Sequence, residues 1–154
     1  MCEMEEYRNM KKIKRLLPLL LACVLLLSGC GALREAMQEA DELPVKEYIN
    51  AVSSGDTETV RGLTHPSAAG NKETFERNIS TLQAYLDGRT ATAMKRGSVN
   101  VNTQVSLNAG KTKTLNVEYT VELSDGTEVP VTVVYLTDGT GEGFSSLVVQ
   151  LGVG

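Results

Sequence analysis

Nucleophilic, acid–base and metal chemistry draw mainly on cysteine, histidine and carboxylate side chains. This chain of 154 residues holds three cysteines, one histidine and 19 Asp and Glu. Cys30 is the residue whose surroundings specify a reaction. It ends the stretch Leu27-Ser28-Gly29-Cys30, after the uncharged run Leu16–Leu27 and the basic cluster Lys11, Lys12, Lys14 and Arg15. A basic segment, a short apolar segment and small residues at a cleavage point make a secretory signal. The apolar run has 12 residues. At about 1.5 Å per residue such a helix falls short of a roughly 30 Å hydrocarbon core, so cleavage is expected rather than a permanent span. No twin arginine precedes the run, which points to the general secretory route.

Leu27, Ser28, Gly29 and Cys30 together resemble a bacterial lipobox. The resemblance implies that the Cys30 thiol becomes a thioether to diacylglycerol. Cleavage behind Gly29 then leaves Cys30 as the first residue. Leu27, Ser28 and Gly29 become the signal-peptidase recognition residues: two small side chains for a narrow site and a leucine for an apolar pocket. Two acyl chains, at about 0.8 kcal/mol per buried methylene, suffice for stable anchoring. The expected location is the extracytoplasmic face of the cell membrane, with the membrane as partner through the diacylglycerol on Cys30. The expected organisation is signal over 1–29, lipidated cysteine and tether over 30–43, and a folded domain over 44–154. Glu3, Glu5 and Glu6 are foreign to a basic n-region, whereas Met10 opens a complete signal, so Met10 is the expected start.

Cys30–Gly154 carries 10 Lys and Arg against 16 Asp and Glu. An acidic domain lacks the basic patch that nucleic acid requires, so no nucleic-acid partner is expected. Cys2 and Cys23 leave with the signal and Cys30 goes to lipid. That leaves no thiol for an internal disulfide, zinc or nucleophilic catalysis. No metal and no cofactor are expected, and the domain is expected to be a monomer.

The remaining reactive groups point to no reaction. His65 precedes Pro66 at an expected helix end, where an imidazole meets loose backbone carbonyls. Asp125, Asp138 and Glu142 fall in turn signals, where Asp serves its own backbone. Asp138–Gly143, "DGTGEG", lacks both the Lys-Ser/Thr of a phosphate loop and the carboxylate spacing of a calcium loop. No catalytic residue is expected.

Two periodicities must position these groups. Val45, Tyr48, Ile49 and Val52 recur at helical spacing after Pro44, with Gly55 as the stop. Asp56 can cap a short helix carrying Val60 and Leu63, which His65-Pro66 ends. Asn71 can cap a third helix with Phe75, Ile79, Leu82 and Leu86 on one face, closed by Gly88. Leu33, Ala36, Met37 and Ala40 give the tether a helical spacing too. After Gly97 the period becomes two. Runs at Val99–Leu107, Leu115–Leu123, Val129–Tyr135 and Leu147–Val153 are separated by "NAGK", "SDGT" and "TDGTGEG". Alternation means one buried and one wet face. The expected fold is α+β: three helices packed on one face of a curved four-stranded antiparallel sheet. Pro130 should sit on an edge or a bulge.

Val45–Pro66, with Tyr48, Ile49, Ala51, Gly55, Asp56 and Leu63, resembles the opening of nuclear transport factor 2-like domains, in particular those on small bacterial lipoproteins. The resemblance implies a cone, with a curved sheet around a long helix and a cavity at the open end. Tyr48, Tyr85, Tyr119 and Tyr135 could line such a cavity or simply fill the core. The family includes isomerases, cyclases, binders and scaffolds, so fold alone does not fix function. Three readings follow. The first is a non-catalytic, membrane-anchored lipoprotein that binds a small ligand or an envelope protein partner. The second is an isomerase- or cyclase-type enzyme using the cavity. The third is a structural accessory of the envelope.

Overall fold

A computed structural model describes residues 31, 33–106 and 110–150. The expected signal and lipobox with Cys30, Leu107 with the first part of "NAGK", and Leu151 and Val153 lie outside the described residues. Residues 33–42 are helical (α1). Four helices follow: α2 (Val45–Ser54), α3 (Thr57–Leu63), α4 (Pro66–Ala69) and α5 (Lys72–Leu86). Then come β1 (Ala91–Ser106), β2 (Gly110–Leu123), β3 (Glu128–Asp138) and β4 (Gly141–Val149). The chain is α+β, with an open antiparallel sheet in the order β1-β2-β3-β4. Among the described residues no helix is long and apolar enough to cross a membrane.

The helix boundaries follow from local chemistry. The Asp56 carboxylate accepts the Thr59 amide at 3.1 Å, and the Asn71 side chain accepts that of Thr74 at 3.0 Å. Both satisfy first-turn donors that have no partner inside a helix. Gly55, at φ 76°, ends α2 in the left-handed conformation. At the end of α5 the expected Gly88 is left-handed, at φ 79°, and so is Asp87 before it, at φ 48°, a conformation that a short polar side chain tolerates. The expected three helices are too few. Pro66 opens the extra turn α4 because its fixed φ suits a first helical position.

The buried face of the sheet is the one alternation marks. Leu115, Val117, Tyr119, Val121 and Leu123 of β2 are buried, and their alternates are exposed or half-buried. Val117, Tyr119 and Val121 pair across to the buried Val133, Val131 and Val129. The first strand starts at Ala91, not after Gly97. Its register breaks between Arg96 and Val99, so the period of two is interrupted there. Its start is held from α2: the Asn50 side-chain Oδ1 accepts the Ala91 amide at 2.7 Å, and Lys46 Nζ donates to the Thr92 backbone carbonyl at 2.7 Å.

Pro130 lies on β3, an inner strand, rather than on an edge strand. Its carbonyl accepts the Gln150 amide at 2.8 Å, just beyond the end of β4. A strand residue sends its N and O to the same side, so the missing N–H faces the last rung, where no further ladder bond is lost.

Of two compact units, the second begins at Glu39. Glu39 pairs with Lys113, the Ala40 carbonyl accepts the Tyr119 hydroxyl, and Asp41 meets Arg96 at 2.6 Å. The last turn of the segment expected to act as tether is thus tied to β1 and β2.

Candidate functional site

The third helix was expected to send Phe75, Ile79, Leu82 and Leu86 to one face. Phe75, Ile79 and Leu86 are buried, but Leu82 is only half-buried. The reason is a cleft of about 410 Å³ whose walls come from α5 and β4. Phe75, Ile79, Leu82 and Tyr85 line one side, and Phe144, Leu147 and Val149 the other. Tyr48 and Phe144 contribute buried rings in edge contact, with centroids 4.9 Å apart. Polar lining comes from Thr64, Asn78, Thr81, Ser145 and Ser146, all uncharged.

The four tyrosines separate in space. Tyr48 and Tyr85 border the cleft. Burial pushes the Tyr48 phenol above its ordinary pKa, and a hydrogen bond with Thr64 opposes that shift. The Arg89 guanidinium lies 5.3 Å from the Tyr85 ring centroid. Tyr119 stands on the buried face of β2, with its hydroxyl on the Ala40 carbonyl. Its pKa is pushed up to about 12, first by burial and then by Asp41, with Arg96 pulling the other way. Tyr135 lies against Phe144, with centroids 5.3 Å apart, and borders a second hollow. Burial, then Glu142 and Glu39, raise its phenol as well.

That second hollow, about 470 Å³, is lined by Glu39, Glu42, Glu47 and Glu142 together with Leu43, Pro44, Leu63 and Tyr135. Among the described residues no group of three or more His, Cys, Asp or Glu is placed to hold a metal ion.

His65 departs furthest from expectation. It caps α4 rather than meeting loose carbonyls, and its ring is fully buried. Nδ1 accepts the Ser67 amide at 3.2 Å and lies 2.7 Å from the Ser67 hydroxyl. An accepting Nδ1 leaves the proton on Nε2, which donates to Asp138 Oδ1 at 3.3 Å. That oxygen also takes the Thr140 amide and hydroxyl, both at 2.7 Å. The His65 amide donates to the Phe144 carbonyl at 3.0 Å. Gly143 permits this approach, because a Cβ there would lie 2.5 Å from the His65 nitrogen.

Serine, histidine and aspartate in line suggest nucleophilic catalysis, but the geometry is that of a structural latch. The Nδ1 lone pair is already committed to the backbone amide of Ser67. The Ala68 and Ala69 amides both donate to the His65 carbonyl, at 2.9 and 3.0 Å, so neither can serve as an oxyanion donor beside Ser67. What the group does is hold α4 against the β3–β4 hairpin, and through it one end of the cleft wall. Sequence reasoning missed this pairing, whose partners are 73 residues apart.

No protein-family model, curated protein or solved structure matches this chain.

Proposed function

We propose that this protein is a non-catalytic, lipid-anchored lipoprotein of the bacterial envelope that binds a small ligand in the cleft between α5 and β4. The observation that carries the reading is the cleft itself. Its 410 Å³ falls within the roughly 300–1,000 Å³ of small-molecule sites, with apolar walls and a few polar groups. Its described lining contains no Asp, Glu, His, Lys or Arg. The phenols of Tyr48 and Tyr85 are the acid–base groups in that lining, and burial moves the Tyr48 phenol further from neutral, so binding suits the lining better than turnover. Helices followed by a four-stranded meander agree with the nuclear transport factor 2-like order, and the signal and lipobox pattern supports anchoring through Cys30.

Native mass spectrometry of the full chain tests the binding. A bound species should accompany the wild type and be lost from Leu82→Trp, which fills the cleft. A ligand-free wild type would sink the reading. For the anchor, a fatty-acid probe should label the wild type and not Cys30→Ser; labelling of that variant would refute it.

A further inference from the structure

The next step rests on the reading of the cleft as a binding site and names what it binds. We propose that the cleft takes a single alkyl chain, and that its ligand is a single-chain amphiphile with an uncharged, hydroxyl-bearing head. Phe75 to Tyr85 on α5 covers about 15 Å at 1.5 Å per residue. Phe144 to Val149 on β4 covers about 17 Å at about 3.3 Å per residue. The two walls therefore match in length. An extended apolar chain of about that length can lie between them.

The walls select the same ligand. Ile79, Leu82, Leu147 and Val149 offer methyl and methylene surface along the length. Between Phe75 and Tyr85, whose rings are flanked by Arg61 and Arg89, the lining carries no charge, so a carboxylate or phosphate drawn along the walls would lose its hydration. Asn78 and Thr81, both exposed, and Ser145 and Ser146, both half-buried, offer amide and hydroxyl partners to a neutral head. Ser145, beside Phe144 at one end of the β4 wall, can hold such a head while the chain runs along the apolar walls.

Calorimetric titration of the full chain with linear primary alcohols of increasing length tests this. Kd should fall about fourfold per added methylene, the equivalent of about 0.8 kcal/mol, and level off once the chain outgrows about 15 Å. Leu82→Trp and Leu147→Trp fill the cleft from opposite walls. Each should weaken binding by about tenfold or more with circular dichroism unchanged. The two variants also control for alkyl binding by the apolar run Leu16–Leu27. Affinity indifferent to chain length, or unchanged in both variants, overturns the proposal. So does tighter, cleft-dependent binding of a fatty carboxylate or of an extended apolar peptide. Those last two outcomes leave the cleft a binding site and remove only the ligand class. A wild type that carries no cleft-dependent species and binds no alcohol fails both.

Discussion

The cleft between α5 and β4 and the hollow bounded by Glu39 and Glu47 have similar volumes, about 410 and 470 Å³, and opposite walls. They meet at adjacent residues of one strand, Gly143 on the acidic side and Phe144 on the apolar side. The Phe144 ring touches Tyr135 of the acidic hollow and Tyr48 of the cleft. Behind it the backbone of β4 is pressed onto Thr64 and His65. Carboxylates keep their hydration in an open hollow, so the acidic side costs little as it stands. Apolar walls open to water forgo the burial that stabilises a core, at about 25 cal/mol per Å². An opening that forgoes stabilisation is the better candidate for a site, because a ligand recovers it.

The largest expected effect contrasts the cleft wall with the closed core. Leu115 and Ile79 each lose three carbons on truncation to alanine. Leu115 is 1% exposed between strands, whereas Ile79 is 8% exposed and borders the cleft. A void at Leu115 would be closed on all sides and carry the full cavity cost. A void at Ile79 would merge with existing open space. Leu115→Ala should therefore cost about 4 kcal/mol and Ile79→Ala about 2 kcal/mol, against the usual 2–5 for such changes. Urea unfolding of the two variants gives both numbers. Equal losses would mean that the cleft is effectively closed and the comparison fails.

What could be read in the sequence was what depends on near neighbours. Asp56, Asn71 and Gly55 act within three or four residues, and each cap is where its residue type placed it. The alternation over Leu115–Leu123 is a local period, and β2 buries those residues. The misses are non-local or too short to have a period. β1 begins at Ala91 because Asn50, 41 residues earlier, holds it, and the irregularity after Arg96 hides the strand from a count of alternate residues. Pro66–Ala69 is a single turn with no apolar stripe. His65 was visible as the only histidine, but its Asp138 partner was read as a turn residue, which it also is. The cleft exists because α5 and β4 stand apart, and no stretch of chain encodes that gap.

The latch beside the cleft gives a smaller, pH-dependent effect. Hydrogen bonds from the Thr140 hydroxyl and amide, with a lesser pull from His65, hold the Asp138 carboxyl below the usual carboxylate range. The folded state then binds this proton less readily than the unfolded chain, whose aspartate titrates near about 3.9. Its stabilising contribution is present above about pH 4 and disappears as pH falls through the lower, folded value. Asp138→Asn should lower stability at neutral pH and flatten the acid limb of the stability curve. Asp56 and Asp125 are shifted the same way, so part of the acid slope should survive. Urea midpoints for wild type and variant between about pH 6 and pH 3 test this; parallel curves would show that Asp138 does not contribute to the slope.

The smallest effect belongs to the acidic hollow, and its sign separates the two openings. Glu47 is exposed in the first turn of α2, where a carboxylate favours the positive helix end. It also faces Glu39, Glu42 and Glu142 across the hollow. Glu39 is compensated by Lys113, which reduces its repulsion on Glu47. Exposed charges at such separations interact weakly, and salt with a Debye length of about 8 Å screens them further. Glu47→Gln should therefore change stability by less than about 0.5 kcal/mol, with a gain at low salt that fades at physiological salt. The same substitution should leave alcohol binding in the apolar cleft unaltered, because Glu47 contributes nothing to its lining. Urea melts at two ionic strengths, paired with one alcohol titration, measure both. A loss of stability at low salt would show that the helix-end term outweighs repulsion. A change in alcohol affinity would show that the two hollows communicate through the shared Tyr135–Phe144–Tyr48 contact rather than acting as separate surfaces.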